Sequence, residues 1–384
     1  MKIKNNEKAA KRIQNAVRNN ERIVIYADSD LDGVASAIIL KETIENLNSR
    51  TATFYFPQRE EEGYGLNKYA LDSLKGLSPA LIIVLDCGIS NFQEIIIAKK
   101  MGFEVVIIDH HQILGKLPKA SIVVDPQQKG EKYHFKNFAT AGLVFKLCQS
   151  MLGERLNGNL RKNFLELVAL ATISDLMPPL EENKIFIEEG LTSLIRTWRP
   201  GLKVLFQVEL VENQISLREK AQKIISLLNS AENKNHHNVA FLLLISSDEK
   251  EIKIIIGELL ENYQKKQTKA TEIFEEIKKR IALKPFRPFI FEGDADWPLV
   301  LLGRVASQVC SEFEKPTFLF RRKEKESIGA IRAMSGVNVV EIMNSCQEIF
   351  ETYGGHPTAA GFSMKNENLE KFEEHLTKHF AAVL

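Results

Sequence analysis

The run Phe103-Glu-Val-Val-Ile-Ile-Asp-His-His111 closes on a carboxylate and two imidazoles. A β-branched apolar stretch reads as a buried strand. Asp109, His110 and His111 therefore stand at a strand's C-terminal end, where open α/β sheets keep their ligand sites. A second cluster, Asp28-Ser-Asp-Leu-Asp-Gly33, follows an equally apolar run. Three carboxylates at alternate positions repel one another unless a cation neutralises them. The pattern is not an EF-hand loop: Ile39 falls where the closing acid belongs, and the flank reads as a strand rather than a helix. Asp86 ends a third apolar run and Asp175 ends an apolar helix; either alone reads equally well as a cap. Taken together, Asp28, Asp30, Asp32, Asp86, His110 and Asp175 make a set of donors for two metal ions. Mixed carboxylate and imidazole donors suit Mn²⁺ better than an oxygen-only Mg²⁺ site would.

These residues need a frame that gathers strand ends along one edge. Arg22–Asp28, Thr51–Phe56, Ala80–Asp86, Phe103–Asp109 and Ser121–Asp125 read as short buried strands, with amphipathic segments such as Val34–Asn46 and Asn91–Met101 between most of them. That alternation predicts an α/β fold with a doubly wound parallel sheet and right-handed crossovers. Asp125, ahead of Pro126, reads as the start of a turn. Residues 1–200 form this first domain. Residues 201–284 follow as a helical connector whose long charged stretch, Glu251 to Lys284, carries one apolar stripe and stops at Pro285 and Pro288. Residues 285–384 read as a smaller C-terminal α/β domain. It has a strand near Phe289–Phe291, a helix at Leu301–Phe313, strands at Thr317–Arg321 and Ser327–Arg332, a helix at Val339–Tyr353, and a closing helix.

Composition narrows the class without naming it. The net charge of +1 argues against a broadly basic field, so a nucleic-acid contact would need local basic patches. Cys87, Cys148, Cys310 and Cys346 form no CxxC pair, which argues against a zinc cage or disulfide framework and fits a reducing cytoplasm. The N-terminal stretch has no apolar core of a signal peptide, and no run is long and apolar enough for a membrane helix. Ser29 and Ser90 have no triad-like context, so acyl-enzyme chemistry is not expected.

The Asp-x-Asp-x-Asp-Gly turn, Asp86, Asp109-His110-His111 and Asp175 occur in the order of the four motifs of the DHH phosphoesterase superfamily. Gly354-Gly-His-Pro-Thr-Ala-Ala-Gly361 resembles the signature of the DHH-associated C-terminal domain. Within the superfamily the chain is most similar to the RecJ-like single-strand-specific 5′→3′ DNA exonucleases. Pro57-Gln-Arg59, Gly63-Tyr-Gly-Leu66, Leu85-Asp-Cys-Gly-Ile-Ser90, Ala139–Phe145, Asp175-Leu-Met-Pro178 and Val305-Ala-Ser307 carry that similarity.

The resemblance implies two Mn²⁺ or Mg²⁺ ions held by Asp28, Asp30, Asp32, Asp86, His110 and Asp175, with Asp86 between them. It implies catalytic roles for His111, on the scissile phosphate, and for Asp109, which orients a neighbouring histidine. Arg59, Ser307, Arg332, Gly355 and His356 are the implied contacts to substrate phosphate. Two ions would neutralise a phosphodiester and activate water for in-line displacement. The implied partner is single-stranded nucleic acid in DNA repair or recombination, with room for a single-strand-binding or helicase partner and no membrane.

Three departures temper this reading. Tyr26 stands where many family members carry a His, so Asp28 is expected to complete the first ion's ligands. Asn229-Ser-Ala-Glu-Asn233 lacks the arginine of the corresponding family stretch. The chain ends about twenty residues after Gly361, so the usual oligonucleotide-binding barrel is expected to be absent and the grip on DNA short. Two alternatives remain open: a small-substrate DHH phosphoesterase acting on short oligoribonucleotides, a nucleotide 3′-phosphate or a cyclic dinucleotide, and an inactive scaffold in a replication complex.

Overall fold

Five β-branched runs pair side by side in the first part of the chain. The computed structural model describes residues 2–47, 52–113, 116–283 and 286–381. Strands β1 (Ile23–Ala27), β2 (Thr53–Tyr55), β3 (Ala80–Leu85), β4 (Phe103–Ile108) and β5 (Ile122–Val124) form one sheet in the order β2-β1-β3-β4-β5, every pair parallel. Thr51, the expected start of β2, lies outside the described residues.

Period-two geometry splits each strand between two cores. Ile23, Ile25, Leu81, Ile83, Val106 and Ile108 face one cluster with the helices Asn6–Arg18, Leu31–Asn46 and Thr140–Leu152. Val24, Ile82, Val84, Val105 and Ile107 face the other, with the helices Lys68–Leu74 and Phe92–Lys100. The sheet is therefore doubly wound, which is why its strands are apolar throughout rather than alternating. Each fully buried aliphatic side chain contributes roughly 1.5–3 kcal/mol.

The strand order decides where a ligand can bind. The chain leaves β1 toward β2 on one side and returns to β3 on the other, so the crevice between the C-terminal ends of β1 and β3 is the topological switch point. Asp28 follows β1 and Asp86 follows β3. The ladder continues through them: Asp28 N–H donates to the Leu85 carbonyl, Asp86 N–H to Ile108 and Asp109 N–H to Val124. Three aspartates are thereby set abreast along one edge.

Contacts divide the chain differently from the three-part sequence reading, into compact units Met1–Tyr263 and Gln264–Leu384. The expected connector does not stand apart, because its helices are amphipathic and bury their apolar faces. Leu202, Leu205, Ile224, Leu227 and Leu243 join the first unit's core. A small hairpin, β6 (Asn233–Lys234) with β7 (His237–Asn238), lies between these helices in sequence. The helix Glu249–Ala282 runs across the boundary. Ile252, Ile256 and Leu259 of its stripe belong to the first core, while Ala270, Ile273 and Ile277 belong to the second. Pro285, the expected helix stop, lies outside the described residues.

In the second unit, β8 (Ile290–Asp294), β9 (Thr317–Arg322), β10 (Glu326–Arg332), β11 (Thr352–His356) and β12 (Ala359–Lys365) pair in the order β11-β12-β10-β9-β8. Only β8 and β9 run parallel, so this second sheet is mixed. The helix expected over Val339–Tyr353 is shorter than predicted. It ends at Asn344, and Thr352–His356 is a strand instead. Gly354 and Gly355 favour neither helix nor strand intrinsically, and pairing of Tyr353 with Phe362 decides the outcome.

Candidate metal centre

The turn after β1 is built around Gly33. A Cβ there would lie 2.2 Å from the Asp28 carbonyl oxygen, so only glycine lets the helix Leu31–Asn46 start this close to the strand. Asp30 caps that helix, its Oδ1 accepting from Asp32 and Gly33 N–H at 3.2 and 3.3 Å. Asp28 is buried and faces Arg59, whose Nε donates to Asp28 Oδ1 at 2.8 Å and whose Nη2 donates to Asp28 Oδ2. The same Nη2 reaches Asp30 Oδ2 at 2.9 Å. Asp32 is also buried, and both its oxygens accept backbone N–H groups from Thr140 (2.6 Å) and Ala141 (2.7 Å), at the start of the helix Thr140–Leu152.

Asp86 occupies the left-handed region, φ 61°, a conformation Asp tolerates better than most residues. Its Oδ1 accepts from Thr140 Oγ1 at 3.0 Å. Three groups of potential ligand atoms share it, one of them with Asp109 and His111. Asp28, Asp30 and Asp86 bring three carboxylates together, and Asp32, Asp86, His110 and Asp175 bring three carboxylates and an imidazole; within each group the atoms lie within 4.8 Å of one another.

His110 is oriented for such a role. Its Nδ1 donates to the Phe138 carbonyl at 2.7 Å, so Nε2 carries the lone pair in the neutral ring. Nε2 lies 3.2 Å from Asp175 Oδ2, 3.4 Å from Asp86 Oδ1 and 3.8 Å from Asp32 Oδ2. His111 stands beside it, with Nδ1 2.7 Å from Asp109 Oδ1. The other Asp109 oxygen accepts the Ile89 N–H. Asp109 thus holds its own histidine pair and the turn after β3 together.

Electrostatics show how heavily this edge is loaded. Burial, and then the charges of Asp32 and Asp30, push the Asp86 carboxyl well above the ordinary range. Burial and then Asp175 push Asp32 up to about 7. Burial disfavours a charged His110, yet hydrogen bonds to Asp175 and Asp86 raise its pKa. Burial also opposes the Asp109 carboxylate, but the charge and hydrogen bond of His111 hold it below its usual value. Crowded, buried oxygen donors with one pre-oriented imidazole fit divalent cations.

Several supporting residues escaped sequence reasoning. Tyr64, which stacks near Arg59, donates its hydroxyl to the Asp86 carbonyl at 3.1 Å and lies 3.4 Å from the His111 ring nitrogens. Tyr26 is not a ligand here. It is buried, it stacks on Tyr55, and its hydroxyl donates to the Gly65 carbonyl at 2.7 Å, pinning the loop that carries Tyr64. Asn229 accepts the Leu31 N–H at 3.1 Å; Asn233 donates to Ser29 Oγ at 2.8 Å and Asn238 to the Ser29 carbonyl at 3.0 Å. Amides from about two hundred residues downstream thus brace the first turn. The sequence signals were the Asn229–Asn233 stretch that corresponds to a family motif and the density of Asn between 229 and 238. Asp125, as expected, forms a turn, accepting the Gln127 N–H at 2.6 Å.

The second unit gathers its own expected residues. Cross-strand register sets Arg332 opposite Ala359, and Ala359 opposite His356. The Arg332 guanidinium lies over Gly303, where a Cβ would approach Nη2 to 2.8 Å. Ser307 is one turn along the same helix, its hydroxyl bonded to the Gly303 carbonyl. Gly355, φ 137°, sits where a Cβ would strike the Ala359 carbonyl at 2.4 Å.

Residues 22–172 match the N-terminal domain of the DHH family, and residues 287–382 match the DHHA1 domain. The chain belongs to the DHH family. It is 33% identical over 382 residues to the single-stranded-DNA-specific exonuclease RecJ of Bacillus subtilis (strain 168), a match over 98% of this chain and 48% of that protein. A crystal structure of exonuclease RecJ bound to manganese superposes with a TM-score of 0.78 at 26% identity, covering 99% of this chain and 95% of that one. RecJ from Thermus thermophilus in complex with Mn²⁺ gives 0.82 at 25% identity, over 100% of this chain and 55% of that one. The chain spans between about half and two thirds of the length of the first curated relatives it matches. Among the described residues no helix is long and apolar enough to cross a membrane.

Proposed function

We propose that this chain is a metal-dependent phosphodiesterase of RecJ type, degrading single-stranded DNA from the 5′ end to mononucleotides. The observation that carries the reading is that the Asp28 and Asp30 carboxylates and the Asp32, His110 and Asp175 group both meet Asp86, at the switch point of the sheet. Asp28, Asp30 and Asp86 would hold one ion; Asp86, His110 and Asp175 would hold the other, with Asp32 close behind. Ions bound there neutralise phosphate charge and make water nucleophilic near neutral pH.

The chain's own residues do the rest. Asp109 fixes the tautomer and direction of His111, the residue assigned to the scissile phosphate. Asp32 fastens the start of the helix Thr140–Leu152 to the first turn, so Thr140 meets Asp86 at a set distance. Arg59, Ser307, Arg332, Gly355 and His356 serve as phosphate contacts, with Arg332 suited to bidentate grip. A cytoplasmic setting, a part in DNA repair or recombination, and a helicase or single-strand-binding partner belong to the same proposal.

The test is a side-by-side assay of end-labelled single-stranded DNA, short RNA and cyclic dinucleotides with Mn²⁺. Release of mononucleotides from single strands supports the exonuclease. A metal-loaded protein that ignores single strands yet cleaves dinucleotides points to a small-substrate phosphoesterase. Inactivity on every phosphodiester, with no ion bound, points to a scaffold.

A further inference from the structure

Two of the ligand groups that share Asp86, the one with Asp28 and Asp30 and the one with Asp32, His110 and Asp175, differ in kind and in surroundings. The Asp28, Asp30 and Asp86 group is all oxygen, and a guanidinium is already docked on it. Arg59 meets both oxygens of Asp28 and one of Asp30, while Ser29 N–H takes Asp28 Oδ1 at 2.8 Å and Asp32 and Gly33 N–H take Asp30 Oδ1. Every oxygen of these two carboxylates thus has a donor. The Asp32, Asp86, His110 and Asp175 group offers an imidazole held in register by Phe138. Among the described residues no lysine or arginine pairs with Asp32, Asp86 or Asp175.

We propose that Arg59 is a built-in counter-cation for the all-carboxylate position. It holds Asp28 and Asp30 together ahead of an ion and weakens that position relative to the one containing His110. The inference rests on the two-ion reading above. A guanidinium in a fork geometry satisfies paired carboxylates well, and a divalent ion approaching the same oxygens meets both its positive charge and the loss of its bonds. Loading is therefore ordered: the His110 position fills first, and the second ion fills its own only as Arg59 gives up part of its pair. The released guanidinium is then free for a phosphate, which couples completion of the metal centre to substrate grip. Tyr64 gives Arg59 somewhere to go, since the guanidinium already lies 5.7 Å from its ring centroid.

Metal binding tests this without any substrate. Mn²⁺ is titrated calorimetrically, with the signal of free Mn²⁺ followed by electron paramagnetic resonance, into the wild type, Arg59→Gln and Arg59→Lys. The wild type is expected to show two unequal steps. Arg59→Gln should tighten the weaker one by about tenfold or more, the scale on which partners of metal ligands act. Arg59→Lys, with its charge kept and its fork lost, should fall between. A weaker step that is unchanged or loosened in Arg59→Gln overturns the proposal.

A second measurement needs no variant: the Arg59 Nε–Hε resonance of the wild type, followed during Mg²⁺ addition, should shift with the weaker step. A resonance that stays fixed through both steps overturns the proposal as well. Inactivity on single-stranded DNA with both steps intact would remove the exonuclease reading and leave this one standing. A wild-type chain that binds no ion would remove both.

Discussion

The two sheets of this protein solve different problems with their ends. In the first unit, β1, β3 and β4 stop abreast at a switch point, and each runs directly into an aspartate that continues the backbone ladder. The side chains there are buried, and Asp28, Asp32, Asp86 and Asp109 each have two or more polar neighbours. In the second unit, Arg332 and His356 lie on strands of an antiparallel array, half-buried and set by register on either side of Ala359. The first arrangement concentrates like charge in a rigid cradle; the second carries a guanidinium and an imidazole on one antiparallel array. On the proposed reading, chemistry that needs fixed ions would belong to the first, and grip on an anionic chain to the second.

Asp86→Asn separates the two most sharply. Asn keeps the volume and tolerates the left-handed backbone but removes a charge that its neighbours repel. Phosphodiester cleavage should fall below detection while the melting temperature of the metal-free protein rises, since the site is built at the expense of stability. Cleavage at the wild-type rate would break the claim that the first unit carries the chemistry. Next in size, Arg332→Ala should raise KM by roughly tenfold with kcat nearly unchanged, and lower the salt dependence of DNA binding by about one phosphate contact. A loss confined to kcat would instead move Arg332 into the chemistry.

The titration of Asp32 gives a smaller effect. Its folded-state pKa is raised to about 7 by burial and Asp175, above its ordinary value. The stability it lends the metal-free fold is therefore complete below about pH 4 and lost as pH rises through about 7. Thermal melts in chelator should show falling stability over that window, and Mn²⁺ should flatten the slope. A metal-free melting temperature that rises with pH there would contradict the crowding of this edge. Tyr26→Phe is the mildest change. It leaves the Gly65 carbonyl without its donor and should cost about 1–2 kcal/mol, read from chemical denaturation.

Sequence carried the first region further than the second. Val, Ile and Leu runs ending in Asp are a local signal, and the parallel order follows from the alternation of elements, so Asp28, Asp86 and Asp109 could be lined up before any coordinates. Distant partners could not. Thr140 reaches Asp86 across 54 positions, and Asn238 reaches Ser29 across 209; neither has a local pattern to announce it. The motif marks Arg59 as an expected phosphate contact, but its docking on Asp28 and Asp30 depends on a fold that turns its segment back over the strand end. Near Tyr353 the error has a plain cause. Cys346, Ile349 and Phe350 continue a helical spacing past Asn344, whereas the chain makes only a short 3₁₀ turn at Gln347–Ile349 before β11 pairs with β12.

The central claim, one two-ion centre organised on Asp86, is tested most directly by Mn²⁺ electron paramagnetic resonance of the loaded chain. Two ions per chain with an exchange-coupled spectrum, lost in Asp86→Asn, is the result the geometry predicts. A single ion per chain, or two magnetically isolated ions whose spectrum ignores the substitution, would contradict it.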